Sequence, residues 1–450
     1  MRFHFVLTKR DSPMRDFSIR VVRILRDAGF EALWAGGCVR DMLLHRTPKD
    51  YDVATDARPD QVVGLFRRHR IRTLTIGAAF GVVAIIEPKP KSNSELGSEQ
   101  RLDSGHSRTI EVATFREDLT YSDGRRPDAV RFANAEVDAG RRDFTINGLF
   151  YDPIAEKVLD YVGGVHDLET GLLRAIGDPL ERFAEDKLRM LRAIRFTTTL
   201  DFRIAPATLD AVRWMASQIG CVSQERIAAE MERILTDPNR PRGLELLRDS
   251  RLGREVLPEF FDVVDDVGDV GTGGEGDRYF HAAARRLAAL GSDDFGTVLA
   301  TLGWGVLTPD AMNAIGLRWK LSNAVRERAV RLLWQIGGFD AAADRISTLQ
   351  PLLGGPDAMP LMTLRRTLAA TDEMPATIPP RIVEMATWPV ERLHPAPLLT
   401  GDTLREAGYR PGPQFREVLA AVFAAQLDGE ITTTAEAVLF AATMMRSCSG

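Results

Sequence analysis

Cysteine is scarce in this chain. Cys38, Cys221 and Cys448 are the only three in 450 residues, and no metal-ligand spacing relates them. A disulfide framework is therefore not expected, and a reduced, cytoplasmic setting is the simplest reading. Long apolar runs are missing too: residues 437–445 form one of the longer stretches, far short of the ~20 residues that span a bilayer. Residues 1–14 have neither the apolar core nor the small-residue cleavage site of a secretion signal. No membrane partner is expected. Lysine is absent from residue 351 onward, where eight Arg stand against eleven acids. A net charge of −5 excludes a protein that coats nucleic acid through bulk charge. No tandem repeat is visible.

The charge that is present is uneven. Arginines cluster at Arg67, Arg68, Arg70 and Arg72, again at Arg125, Arg126, Arg131, Arg141 and Arg142, then along Arg182, Arg189, Arg192 and Arg195, and finally from Arg240 to Arg254. Any electropositive work is thus placed before residue 255. The length calls for two to four domains. Apolar spacing predicts a helix over 17–30, a short strand over 31–35 running into Gly36-Gly37, and a helix from Val39. Residues 50–53 read as a strand, 59–69 as a helix, and 82–86 and 109–114 as further strands. Between the last two, 88–107 is rich in Ser, Lys, Gly and Glu and reads as a flexible insertion. Beyond Tyr151 the pattern is helical, clearest over 179–200, 205–218, 223–235 and 241–247. An acidic, Gly-rich stretch at 262–277 reads as a linker or long loop.

The strongest chemical signal is Ala35-Gly36-Gly37 followed, after twelve residues, by Asp50-Tyr51-Asp52-Val53. Glycines at a strand-to-helix turn let backbone N–H groups approach a phosphate. Two carboxylates one residue apart on a strand point to one face, where they can hold two Mg²⁺ ions that activate an attacking 3′-hydroxyl and steady a leaving pyrophosphate. Glu111 reads as a solvent-facing strand residue, with a third metal carboxylate as the alternative.

These residues, with Arg40-Asp41 and the run Arg141-Arg142-Asp143-Phe144-Thr145-Ile146-Asn147, resemble the head domain of class II tRNA nucleotidyltransferases and of bacterial poly(A) polymerases. The resemblance continues through Asp160-Tyr161-Val162-Gly163-Gly164 and Glu185-Asp186-Lys187-Leu188-Arg189 to Arg226–Glu230, covering roughly 31–260. It implies an α+β protein: a polymerase-beta-like nucleotidyltransferase head over 1–148, an all-helical neck over 149–260, and a helical body and tail over 261–450. It implies that Asp50 and Asp52 are catalytic and ligate Mg²⁺, that Gly37 and Arg40 bind a triphosphate, and that Arg142, Arg192 and Arg195 contact the nucleotide.

Asp186 and Arg189, three apart on an expected helix, share a face. Asp accepts hydrogen bonds and Arg only donates. Cytosine and adenine each carry an amine beside a ring-nitrogen acceptor, and uracil and guanine present the reverse. One Asp–Arg pair can therefore select C and A without a nucleic-acid template. Arg226 and Glu230, four apart, read as an intrahelical pair, and Asp160 and Gly163 as shaping the head–neck junction. Residues 117–127 resemble a loop used in passing from C to A addition.

Many relatives carry a His-Asp hydrolase centre after the neck. Here only His281 and His394 follow residue 255, and 301–305 reads Thr-Leu-Gly-Trp-Gly, so that centre is not expected. The end of the chain resembles a tail that recognises the tRNA elbow, with packing or a homodimer as its alternative use. The implied reaction is CCA addition to the tRNA 3′ end from CTP and ATP. A-only addition and poly(A) synthesis are the enzymatic alternatives, and an inactive RNA-binding scaffold is the non-enzymatic one.

Overall fold

The computed structural model describes residues 12–77, 81–88, 108–118, 130–265, 275–406, 408–409 and 412–447. Two compact units emerge, one of residues 1–230 with 245–256, the other of 231–244 with 257–450. Among the described residues no helix is long and apolar enough to cross a membrane.

The first unit is built on a seven-stranded sheet. Its strands are β1 (Ala32–Ala35), β2 (Val53–Thr55), β3 (Arg72–Gly77), β4 (Val82–Ile86), β5 (Thr109–Thr114), and, after the separate hairpin of β6 (Arg116–Asp118) and β7 (Val130–Phe132), β8 (Phe150–Asp152) and β9 (Lys157–Leu159). They lie in the order β3-β4-β5-β2-β1-β8-β9. At the centre β2 runs antiparallel to β1, with Leu33 opposite Ala54, and parallel to β5, with Val53 opposite Val112. All four residues of β1 are buried, because both sheet faces are covered. Helix α1 (Pro13–Asp27) starts on a proline at its first turn and buries Phe17, Val21, Val22, Ile24 and Leu25. Its Arg15 lies over Trp34. On the opposite face Leu33 and Ala35 pack with Phe115, Phe150 and with Ala135 and Ala139 of α4 (Ala135–Gly140). Helices α2 (Gly37–Leu43) and α3 (Pro59–Arg68) precede α4 in the chain.

After the sheet come α5 (Gly164–Thr170), α6 (Pro179–Glu185), α7 (Leu188–Leu200), α8 (Pro206–Met215) and α9 (Gln224–Leu235). The Asp160 carboxylate caps α5, accepting from the N–H groups of Val162, Gly164 and Val165 at 3.1, 3.0 and 2.9 Å. Buried Asp167 accepts from Thr145 Oγ1 at 2.6 Å and from Arg174, which docks the short 3₁₀ turn Thr145–Asn147 onto α5. That docking leaves no room at Gly164, where a Cβ would stand 2.2 Å from the Thr145 carbonyl oxygen. Gly164→Ala is expected to cost about 1–3 kcal/mol through this overpacking, read as a lowered urea midpoint at unchanged slope.

Three sequence expectations are corrected here. Residues 50–52 precede β2 rather than forming its start, although the Asp52 carbonyl still accepts from Ala35 N at 3.0 Å. The helix expected over 179–200 breaks at Asp186, which is extended at φ −143° and ψ 105°; its side chain accepts from Leu188 N and so starts a new helix. The two ends of 262–277 are helical rather than linker, 262–265 belonging to α12 (Pro258–Asp265) and 275–277 to α13 (Glu275–Ala289), which follow α10 (Arg240–Asp249) and α11 (Leu252–Val256), while 266–274 lie outside the described residues. The insertion at 88–107 beyond its first residue, and 119–127 of the expected loop, lie outside the described residues.

The second unit is helical. Around 301–305, fully buried Arg286 donates to the carbonyls of Thr301, Leu302 and Trp304 and pairs with Glu373 at 2.6 Å. It satisfies carbonyls that the end of helix Phe295–Gly303 leaves without helical partners. The last helices, Pro413–Leu427 and Thr434–Ser447, share a small apolar core of Leu399, Leu404, Val418, Val422, Ile431 and Ala437.

Candidate active site

Strand β1 delivers the chain into Gly36, whose φ of 72° is a left-handed conformation that side chains rarely adopt. Its N–H donates to the Leu149 carbonyl, and a Cβ there would stand 2.7 Å from Arg142 Nη1. The backbone angle thus favours glycine, and a side chain there would also have to displace the Arg142 guanidinium packed against it. Gly37 opens α2, and Arg40 projects from that helix.

On the adjoining approach to β2, Asp50 and Asp52 both reach solvent. Asp52 nevertheless stands among protein walls. Loss of hydration, then the charges of Asp50 and Glu111, push its carboxyl up to about 6, and Arg142 offsets this only in part. Glu111 is exposed on β5, one residue before the partner of Val53. The sequence-based preference for a solvent-facing residue thus describes its exposure, but its charge also reaches Asp52. Among the described residues no group of three or more His, Cys, Asp or Glu side chains is arranged to hold a metal ion. The donor set that fits a divalent cation is the Asp50–Asp52 pair, whose mutual repulsion such a cation would neutralise. Cys38, between the glycines and Arg40 in sequence, is buried, and burial pushes its thiol up to about 12.

All nine residues singled out from sequence, Gly37, Arg40, Asp50, Asp52, Arg142, Asp186, Arg189, Arg192 and Arg195, line one cleft of roughly 570 Å³ in the first unit. The guanidiniums are held by an ordered set of partners. Arg40 donates to Asp41 and, at 2.7 Å, to Asn147 Oδ1. Arg142 pairs with buried Asp138 at 2.9 Å and donates to the Asn147 carbonyl at 3.3 Å. Asn147 Nδ2 donates to Asp143 at 2.9 Å, and Asp143 takes Arg192 at 2.6 Å. Burial would raise the Asp143 carboxyl, but the Arg192 charge and the hydrogen bonds from Asn147 and Arg192 outweigh it and hold the group at about 2.

The Asp186–Arg189 pair is placed differently from a shared helical face. Asp186 sits in the break before α7 and accepts from Arg226 at 2.9 Å, while Arg189 pairs with Glu185 and donates to the Arg182 carbonyl at 2.9 Å. This overturns the reading of Arg226 and Glu230 as an intrahelical pair. Both reach out from α9, Arg226 to Asp186 and Glu230 to Arg195 at 2.7 Å. Their spacing of four aligns them on one face, and that face packs on the cleft rather than on itself.

Sequence reasoning passed over Asp143, Asn147 and Phe196, which also line the cleft. Asp143 and Asn147 lie inside the quoted Arg141–Asn147 run, so the run itself was the signal. Phe196 reads as ordinary core on an amphipathic helix, and no local signal marks it.

Comparison with known proteins places this fold and sequence in a family. Residues 32–174 match the family described as "Poly A polymerase head domain", and 201–263 match "Probable RNA and SrmB- binding site of polymerase A". The CCA-adding enzyme of Bacillus subtilis is 39% identical over 245 residues, a segment that spans 54% of this chain and 56% of that protein. The CCA-adding enzyme of Levilactobacillus brevis is 30% identical over 425 residues, 94% of this chain and 96% of the relative. Among solved structures, the Bacillus stearothermophilus CCA-adding enzyme in complex with CTP superposes with a TM-score of 0.74 at 26% identity, covering 98% of this chain and 99% of the other. The glycine turn, the carboxylate pair and the arginine-lined cleft thus stand on a fold and a sequence shared nearly from end to end, and the chain belongs to the family of CCA-adding enzymes, which are nucleotidyltransferases.

Proposed function

We propose that this chain adds CMP, CMP and AMP in turn to the 3′ end of tRNA, taking them from CTP and ATP without a nucleic-acid template. The observation that carries the reading is the meeting, in one cleft, of a carboxylate pair, a set of arginines and the Asp186–Arg189 pair. The RNA 3′-oxygen forms a bond to the α-phosphorus of the nucleotide, the bond to the β-phosphate oxygen breaks, and pyrophosphate leaves.

Asp50 and Asp52 would hold Mg²⁺, which when bound supplies charge neutralisation and lowers the pKa of the attacking hydroxyl. Arg40 and Arg142 bind the polyphosphate, pre-aligned by Asn147, so little reorganisation accompanies reaction. Asp186 and Arg189 read the base edge. Arg226 and Leu188 N occupy part of the Asp186 carboxylate, and a carboxylate has about four acceptor sites, so acceptor capacity remains for an exocyclic amine. The domain plan of head over 1–148, neck over 149–260 and body with tail over 261–450 belongs to the same reading.

Purified protein given Mg²⁺, tRNA lacking CCA, and CTP with ATP should extend the tRNA by two C and one A and then stop, and EDTA should abolish extension. Long A tails on oligo(A) would favour poly(A) synthesis instead. A protein that binds tRNA and adds nothing under any of these conditions would be a scaffold.

A further inference from the structure

One aromatic ring gathers three of the cleft arginines. The guanidinium carbons of Arg40, Arg192 and Arg195 lie 5.0, 5.3 and 4.0 Å from the centroid of Phe196. Phe196 is buried at 6% exposure and lines the cleft. Phe144 meets it edge-on, with centroids 5.8 Å apart and planes at 78°, which fixes its tilt. Arg40 comes from α2 beside the glycine turn, whereas Arg192 and Arg195 come from α7. The ring is therefore a shared contact between the helix expected at the phosphates and the helix beside the base-reading pair.

Three guanidiniums this close repel one another. Each has a carboxylate neighbour, Asp41, Asp143 and Glu230 respectively, but a carboxylate consumes N–H donors and cancels the charge that an incoming polyanion needs. An aromatic face does neither. It attracts a cation through its quadrupole and leaves the N–H donors, which lie in the guanidinium plane, available to a ligand. A leucine would fill much of the same space and supply no such attraction.

Resting on the reading of this cleft as a nucleotide site, we propose that Phe196 is a positioning residue that holds Arg40, Arg192 and Arg195 ready for the polyphosphate of an incoming nucleoside triphosphate. It acts through the arginines and not on the base, so its effect is the same for CTP and ATP and leaves the preference for C and A over U untouched.

The test separates ring electronics from ring shape. Phe196 is replaced by mono-, di- and trifluorophenylalanine, which drain the face of electron density at nearly constant volume, and by Leu. Steady-state addition to truncated tRNA is then measured with varied CTP or ATP, alongside thermal unfolding. KM for both nucleotides should climb stepwise with fluorination, reaching about five- to tenfold for the trifluoro ring and at least as much for Phe196→Leu. Maximal rate should stay within about twofold, as expected when binding rather than the transition state is affected, and the melting temperature of the fluorinated proteins should not move. A KM indifferent to fluorination overturns the proposal, even where Phe196→Leu is impaired or fails to fold, because the ring would then serve packing alone. If wild-type protein adds no nucleotide at all, it is the functional reading that fails. The same fluorinated series is then read by calorimetry with inorganic tripolyphosphate, where a flat affinity overturns the role of the ring independently.

Discussion

Asp52→Asn is expected to lose nucleotide addition by on the order of 10³-fold or more, since under the proposed mechanism the metal-linked charge stabilisation removed with the carboxylate is worth several kcal/mol in a barrier. Affinity for tRNA should be retained, because the substitution leaves the arginines of the cleft in place. Single-turnover extension of truncated tRNA and a filter-binding titration would separate the two. Equal activity of mutant and wild type would remove Asp52 from the chemistry.

The stability of that variant should move the other way. Asp52 titrates in the folded chain at about 6, above the ordinary carboxylate value. A raised folded pKa favours the protonated form, so its stabilising contribution is present below pH ~4 and is lost as pH rises to about 6. At pH 7 and without metal the ionised group therefore works against folding, and Asp52→Asn should unfold at a urea concentration no lower than wild type. A carboxylate held at a cost to stability is the pattern expected of an active site, and it fits the proposed role of Asp52.

Asp143 is expected to behave in the opposite sense. Its carboxyl is nearly buried, at 8% exposure, and is held at about 2 by the Arg192 charge and by hydrogen bonds from Asn147 and Arg192, against the opposing effect of burial. A depressed folded pKa contributes stability above the unfolded value near 4 and loses it as pH falls toward 2. Asp143→Asn should thus cost about 2 kcal/mol at pH 7, and the deficit relative to wild type should narrow between about pH 5 and pH 2. Asp143→Ala, which strands Arg192 and the Asn147 amide, should cost about 3–5 kcal/mol. Nucleotide affinity should fall with it, because Asn147 also accepts from Arg40 and Arg142. Urea unfolding at pH 7 and pH 3 checks the sign, and a deficit that does not depend on pH would mean the charge of Asp143 is not what stabilises the fold.

Much of this site was legible before any coordinates. The spacing of Gly36-Gly37 to Asp50 and Asp52 is local chemistry, in which a turn needs glycine and a strand approach puts alternate carboxylates on one side, so a short run of letters carries it. The extents of β4 and β5 were legible for the same reason: their β-branched, alternating residues leave few other conformations open. The break at Asp186 was not. Glu185 to Arg195 is a good helical pattern throughout, and it is the Asp186 side chain, taken up by Leu188 N and Arg226, that interrupts it. Arg226 and Glu230 were misassigned in the same way, since periodicity says which residues share a face but not what that face meets.

By itself the sequence determined the class of chemistry: the paired carboxylates, the glycine turn, the arginines placed before residue 255, and an α+β head followed by helices. All of these depend on residue type and on neighbours within one or two turns. Tertiary structure alone decided which groups converge. Asn147 reaches Arg40 across 107 positions, Arg192 reaches Asp143 across 49, and Arg226 reaches Asp186 across 40. Phe196 became a meeting point for three cations only when α2 and α7 packed around it. Such contacts have no local signature, because each residue's own neighbours in sequence are compatible with many partners. The partner is selected when burial of the sheet and helix faces fixes the elements in space.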